Sequence, residues 1–411
     1  MPNPSGPPTV TRGPDGTRIG LCLSGGGFRA TLYALGAVRY LAEAGLLAQV
    51  QAVSAVSGGS VAAAVLADRW PALAADGFSL DAYLREVDQP VHLTLTTHNL
   101  RNQALARWAS RRLHFRGPTR GSAMGDVLAE QLLRTRLVRD LDPALQVIIT
   151  STDLATGRAF RVSRDFIGSW NFGYQPLPEE LSLGQAVAAS TAVPLLFPPV
   201  YLRTEGLGLR DAPRVLSLVD GGVYENLGLE WFQGWRSGRP AEAREVDFKL
   251  VVDASGPLIR QARTFRGWRA VNRGRAIQYE QTRTTRIRWF VEELIRGHQN
   301  GSYIVTKYDP AGFRLPDKTP IDPEFYEGAL PAGFGALLAD LRTDLDRFSD
   351  EEAELLRYHG YWSAHARLSA LYPEIAVTGR PQWRAYADLD DNDAKRLEVL
   401  LQRGAKRRLW R

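Results

Sequence analysis

Val53-Ser54-Ala55-Val56-Ser57-Gly58-Gly59-Ser60 decides how the chain reads. The residues from Val50 to Val56 are mostly apolar or small and predict a short buried strand. Val61-Ala62-Ala63-Ala64-Val65-Leu66-Ala67 is apolar and helix-compatible. A Ser/Gly turn separates the two. A strand that turns sharply into a helix lifts the turn residue to the end of a sheet, with its hydroxyl exposed and a helix N-terminus behind it that favours negative charge. Such turns are common, and a short motif alone does not establish chemistry. Two serines compete for the role. Gly58-Gly59-Ser60-Val61-Ala62 loosely matches G-x-S-x-G, but Ser60 falls inside the first helical turn. Ser57 has the strand before it and the glycine pair after it, so Ser57 is the candidate nucleophile, with Gly58 and Gly59 forming the elbow.

Upstream, Ile19-Gly20-Leu21-Cys22-Leu23 predicts the first core strand. It runs into Ser24-Gly25-Gly26-Gly27-Phe28-Arg29-Ala30, and Leu32, Leu35, Val38, Leu41 and Leu46 then recur at helical spacing. Strand, glycine loop and helix together make an anion cradle of backbone N–H groups. It suits a phosphate or the oxyanion of acyl transfer. The phosphate signatures do not match, since Gly-Lys-Ser/Thr is absent and the spacing is not G-x-G-x-x-G. Two such turns on neighbouring strands bring donors and nucleophile to one sheet edge.

Downstream, Leu145 to Thr150 predicts a strand, and Ala159 to Val162 a second one joined to it by a Thr156-Gly157 hairpin turn. Asp153 reads as a turn residue. Leu183 to Ala192 predicts a small-residue helix. The rigid Leu195-Leu196-Phe197-Pro198-Pro199-Val200 run that follows suits an acyl-chain wall or core packing equally. Val215 to Val219 predicts a strand that delivers Asp220-Gly221-Gly222 to a sheet edge. Phe248 to Asp253 is another strand, which makes Asp253 a second candidate acid. Ser302 to Thr306 is the last strand, and Phe334 to Arg411 reads as helices with a polar tail. His92, His98 and His114 show no metal spacing and read as surface or structural residues.

The chain has 411 residues, 44% hydrophobic and 23% charged, ordinary for a globular protein with a sizeable core. Its single cysteine, Cys22, excludes an intrachain disulfide framework and reads as a buried thiol. The Pro-rich start reads as a flexible leader without a secretory core. No stretch predicts a transmembrane helix, and a cytoplasmic protein is expected. The net charge of +6 suits an anionic surface, membrane or nucleic acid. Arg260, Arg263, Arg266, Arg269 and Arg273 lie at near-helical spacing, with Trp268, Trp289 and Phe290 interleaved through the segment to Arg296. Such a helix docks on an anionic membrane, contacts nucleic acid, or is simply solvated. No recognisable nucleic-acid fold signature accompanies it.

Taken together, the chain resembles the patatin-like phospholipase family. The resemblance rests on Gly25-Gly26-Gly27-Phe28-Arg29, Ser57-Gly58-Gly59, Thr152-Asp153-Leu154-Ala155-Thr156-Gly157, Ala189-Ser190-Thr191-Ala192-Val193-Pro194 and Asp220-Gly221-Gly222, in family order over roughly residues 18 to 310. Two positions depart from the family pattern: Ala55 and Ala30 stand where glycine is usual. The resemblance implies an α/β, three-layer fold with a central, mostly parallel sheet flanked by helices. It implies a leader over 1–17, a catalytic domain over 18–310 and a mainly helical C-terminal region over 311–411. It also implies a Ser–Asp dyad, in which Asp220 takes the Ser57 proton with no histidine between them. Gly25, Gly26 and Gly27 would be the oxyanion donors, and Arg29 the support of their loop. No metal or cofactor is required. The expected substrate is a fatty-acyl ester of a membrane phospholipid, with the basic stretch docking peripherally on the bilayer. The rival expectation is a silent or partner-activated protein of the same fold acting through its basic surface, including a membrane-degrading effector switched on by a protein or small molecule. A carboxylate base of ordinary pKa is weak for this work, so Asp220 is expected to be desolvated and its pKa raised.

Overall fold

The computed structural model describes residues 16–113, 120–194, 197–233, 239–256, 258, 264–315, 317–373, 375 and 380–407. Of the expected leader, residues 1–15 lie outside these, and Thr17 is already buried. Among the described residues, ten strands form one mixed sheet. They are β1 (Ile19–Leu23), β2 (Val50–Val56), β3 (Gln146–Asp153), β4 (Arg158–Val162), β5 (Ile167–Ser169), β6 (Gly173–Gln175), β7 (Val200–Arg203), β8 (Val215–Asp220), β9 (Phe248–Asp253) and β10 (Gly301–Val305). The sheet order is β10-β9-β1-β2-β3-β4-β5-β6, with the β7–β8 pair joined to the far end of β3. The strands from β10 to β3 are parallel, and β4 to β8 run antiparallel. The change of sense follows from the tight turn at Gly157, which returns β4 beside β3.

Among the described residues there are twelve α-helices: α1 (Gly27–Glu43), α2 (Gly58–Ala75), α3 (Leu80–Tyr83), α4 (Gln89–Thr97), α5 (Leu100–Leu113), α6 (Arg120–Gln131), α7 (Leu183–Ser190), α8 (Glu230–Gln233), α9 (Gly267–Ile295), α10 (Phe334–Ala339), α11 (Asp350–Leu371) and α12 (Asp391–Lys406). Parallel strands are covered on both faces, so their side chains are apolar on both. Leu21, Leu23, Leu250 and Val252 enter the larger core, with residues of α1, α2, α7 and α11. Cys22, Ile148 and Val251 enter a smaller core with Trp231, Phe232 and Phe290 of α8 and α9. Cys22 is buried there, as its apolar strand implied.

Helix α11 begins with a capping box between Ser349 and Glu352 and lies along α1. The two helices touch backbone to backbone. A Cβ on Gly36 would sit 1.8 Å from the Arg357 carbonyl oxygen, and one on Gly360 2.1 Å from that of Tyr33. The C-terminal helices are thus built into the main core. They back the helix that carries the glycine loop.

Candidate active site

The sheet register explains why residues far apart in sequence converge. Val56, the last residue of β2, pairs with Thr150 of β3. The next residue of β3, Ser151, pairs with Asp220 at the end of antiparallel β8. Ser57 therefore leaves β2 beside the point where β8 delivers Asp220. The Ser57 hydroxyl donates to Asp220 Oδ2 at 2.6 Å. Among the described residues, no histidine hydrogen-bonds either group. His92 instead pairs with Asp350, and His114 lies outside the described residues.

Ser57 has φ 51° and ψ −123° and is the N-cap of α2. Positive φ at a non-glycine residue stores strain, and it is the geometry of a sharp strand-to-helix turn. Neighbours hold it in place. The Ser57 N–H donates to Ser190 Oγ at 2.9 Å, and the Ser190 hydroxyl donates to the Thr150 carbonyl at 2.6 Å. Ser60 lies within α2 and shares a hydrogen bond with Ser190. Ala55, where glycine is usual, is fully buried, and the turn forms with it in place.

Asp220 Oδ1 accepts the Gly222 N–H at 2.7 Å. Ser57 and Asp220 are 5% and 6% exposed. Burial pushes the Asp220 carboxyl up to about 6, against the opposing hydrogen bonds from Ser57 and Gly222. Asp153 is the turn residue expected, since it accepts from the Ala155 and Thr156 N–H groups. Asp253 is not placed for catalysis. Both its oxygens are taken, Oδ1 by the Ser255 N–H and Oδ2 by Arg283 and Tyr303.

The glycine loop passes directly against Ser57. A Cβ on Gly25 would lie 3.0 Å from Ser57 Cβ, and one on Gly58 1.9 Å from the Gly27 carbonyl oxygen. The three loop glycines are not equivalent. The Gly25 N–H donates to the Asn226 carbonyl at 2.9 Å, so that donor is used within the chain. Gly59 likewise donates to the Ser24 carbonyl. The N–H groups of Gly26, Gly27 and Gly58 have no intrachain acceptor among the described residues. Gly58, expected only as an elbow residue, thus joins Gly26 and Gly27 as an available donor, and Gly25 drops out.

Arg29 is buried behind this loop. Its Nε and Nη2 donate to the Ala254 carbonyl, and its Nη1 donates to those of Ala339 and Leu341. Two of its acceptors lie in the C-terminal region, which no sequence motif covered.

Residues 21–231 match the family model described as patatin-like phospholipase. That is more than half of the 411 residues. The chain belongs to the patatin-like phospholipase family. No protein of curated function matches it in sequence. Similar solved structures include human GIVD cytosolic phospholipase A2 in complex with methyl gamma-linolenyl fluorophosphonate, with a TM-score of 0.49, 15% identity and 95% of this chain covered. VipD from Legionella pneumophila gives a TM-score of 0.30, with 17% identity and 73% of this chain covered. The patatin-like chain spans 60% of the human chain and 64% of the VipD chain.

The basic stretch of this patatin-like protein is only partly as expected. Arg260 and Arg263 lie outside the described residues. Arg266 caps α9, and Arg269 and Arg273 follow at i+3 and i+7 on one side of it. Two arginines farther along leave that side. Arg283 turns inward to Asp253, and the guanidinium of Arg286 lies 5.3 Å from the centre of the Tyr224 ring. Trp268 is 62% exposed, and Val271 and Ile277 are also exposed. Phe197 and Val200 of the expected acyl wall belong to the core, whereas Leu195 and Leu196 lie outside the described residues. Among the described residues, no helix is long and apolar enough to cross a membrane.

Proposed function

We propose that this protein is a lipid acyl hydrolase of phospholipase A type, in which Ser57 is the nucleophile and Asp220 the base. The observation that carries this reading is the 2.6 Å hydrogen bond from the strained Ser57 hydroxyl to a buried carboxylate whose pKa is raised to about 6. Ser57 Oγ attacks the ester carbonyl carbon as its proton passes to Asp220 Oδ2. The carbonyl oxygen becomes an oxyanion that accepts from the Gly26, Gly27 and Gly58 N–H groups. One such donor is commonly worth about 3 kcal/mol. Collapse breaks the ester C–O bond, and Asp220 returns the proton to the departing lysophospholipid oxygen. Water then attacks the acyl-enzyme, losing its proton to Asp220, and the fatty acid leaves as Ser57 regains its hydrogen. Val193, next to the Ala192 carbonyl that accepts the Asp220 N–H, and Val223, just past Asp220, are exposed and give the acyl chain an apolar rim.

Residues 18–310 form the catalytic domain in this reading, and the helices beyond it brace the glycine loop. The protein works in the cytoplasm and docks peripherally on anionic phospholipid through Arg266, Arg269 and Arg273, with Trp268 reaching the interface. The burial of the dyad favours a second, partner-activated version, in which a protein or small-molecule activator opens the site.

Fatty-acid release from phospholipid vesicles tests the reading. The parent releases fatty acid, and Ser57→Ala falls to background; equal release by both contradicts it. Replacing Arg266, Arg269 and Arg273 together by Gln weakens binding to anionic vesicles about tenfold or more and leaves neutral vesicles nearly unaffected. Equal loss on both surfaces removes the docking role.

A further inference from the structure

The glycine loop is joined to α9 by a buried chain of side chains that the dyad itself does not use. Arg283, in the middle of α9, donates from Nη1 to Asp253 Oδ2 at 2.6 Å. Asp253 Oδ1 accepts the Ser255 N–H at 2.8 Å. Asn226 Nδ2 donates to Ser255 Oγ at 2.8 Å and to the Gly25 carbonyl at 3.4 Å. The Gly25 N–H returns to the Asn226 carbonyl. Asn226 therefore holds Gly25 at both its N–H and its carbonyl. Its Oδ1 also fills the space a side chain would need at Gly25 and at Gly222, where a Cβ would lie 2.1 and 2.5 Å from it. The glycine loop, the turn carrying Asp220 and the turn after β9 thus meet on one buried carboxamide. A buried ion pair to α9 stands behind them.

Tyr279, one turn earlier on α9, adds a hydrogen bond to Ser255. Only Phe290 of the helix is buried, and the turns before Tyr279 are largely exposed. Arg283 supplies the buried ion pair on this face of α9, and the carboxylate it holds belongs to the strand ending beside the glycine loop. Breaking a buried pair leaves an uncompensated charge, so the surrounding segment shifts to resolvate it.

We propose that Arg283, Asp253 and Asn226 form a positioning relay that holds the Gly25–Gly27 loop at its working distance from Ser57. Displacement of a donor by about 1 Å is enough to cost about a hundredfold in rate. The catalytic consequence rests on the function proposed above. The structural consequence does not, and the two are measured separately.

The variants are Arg283→Met, Arg283→Lys, Asn226→Ala, the double variant Arg283→Met/Asn226→Ala, and Tyr303→Phe. The last removes an equally buried hydrogen bond to the same Asp253 oxygen without releasing α9. Hydrogen exchange of the segment 24–29 is read in all of them, together with kcat and KM on a soluble acyl ester. Arg283→Met and Asn226→Ala are expected to speed exchange of segment 24–29 and to lower kcat about 10- to 100-fold with KM nearly unchanged. The double variant is expected to be no worse than the worse single one, as for members of one network. Arg283→Lys recovers most of the loss, and Tyr303→Phe stays within about threefold of the parent. Unchanged exchange at 24–29 in Arg283→Met overturns the relay, even if the parent shows no esterase activity. Multiplying losses, or an equal loss in Tyr303→Phe, also overturn it, because they mark general damage to the core. If the parent has no Ser57-dependent activity but exchange responds as expected, the proposed function fails and the relay stands.

Discussion

Asp220→Asn lowers kcat by about four orders of magnitude and at the same time stabilises the fold above pH 6. An amide cannot take the Ser57 proton. Even where the aspartate only orients a histidine, the same change costs about 10⁴, and here the carboxylate is itself the base. The stability effect follows from the same burial. The Asp220 carboxyl stands at about 6 in the folded chain, against 3.8 for an unperturbed group. A raised carboxyl pKa means that the folded state tolerates the neutral form and resists the charged one. Its stabilising contribution is fully present below about pH 4 and is lost as pH rises through about 6, a difference of about 3 kcal/mol. Asparagine is never charged, so it avoids that loss. The melting temperature of Asp220→Asn therefore matches the parent near pH 4 and exceeds it by a few degrees near pH 8. In the parent, kcat/KM rises through a midpoint near pH 6 and then levels, because Asp220 must be ionised to act. A variant that keeps its activity, or a parent profile with no group titrating above pH 4, contradicts this assignment. The stability gain is what a buried working charge implies, since such sites trade stability for function.

Gly58→Ala abolishes most activity, by about 10³-fold, and costs about 3 kcal/mol of stability. The added methyl would lie 1.9 Å from the Gly27 carbonyl oxygen and 2.6 Å from its carbon. Both are backbone atoms, which cannot swing aside as a flexible side chain can. Relief requires the glycine loop and the start of α2 to separate. That moves the Gly26 and Gly27 donors away from Ser57 and re-aims the Gly58 N–H, and losing one oxyanion donor alone costs about 10² to 10³ in kcat. Overpacking in a tight core adds about 1–3 kcal/mol of destabilisation. Gly274→Ala in α9 is the matched control. Nothing lies within 4 Å of its Cβ, so the same substitution there is expected to be neutral or to stabilise by up to about 1 kcal/mol. Thermal unfolding of both variants beside ester hydrolysis checks the contrast. A Gly58→Ala protein with parental kcat shows that the loop does not need this close approach.

The parts of the site carried by local chain chemistry were legible in the sequence. A Val-rich strand, a small-residue turn and an alanine-rich helix predict the sharp turn found at Ser57. Asp220 at a strand end before Gly-Gly is delivered to a sheet edge for the same reason. What was not legible depends on long-range return of the chain. Gly25 looks like its two neighbours until the loop after β8 folds back and Asn226 takes its N–H. Arg29 reads as a loop support, but its acceptors at Ala254, Ala339 and Leu341 lie more than 200 residues away and carry no side-chain signal. A backbone carbonyl is the same at every residue, so no pattern announces it. The near-helical arginine spacing after Pro257 predicted a basic face. It could not tell that Arg283 turns inward to a buried carboxylate while Arg269 stays in solvent. Gly36 and Gly360 have the same character. Each is an isolated glycine in a helical pattern, explained only once α1 and α11 lie in backbone contact.

The most direct measurement is peptide mass mapping after reaction with an alkyl fluorophosphonate, whose fluoride is displaced by an activated serine hydroxyl. The account predicts one phosphonyl group per chain, on the peptide and residue Ser57. Its appearance should parallel the loss of esterase activity, and Ser57→Ala should carry none. An enzyme that hydrolyses acyl esters yet carries its adduct on Ser60 or elsewhere, or none at all, contradicts the account.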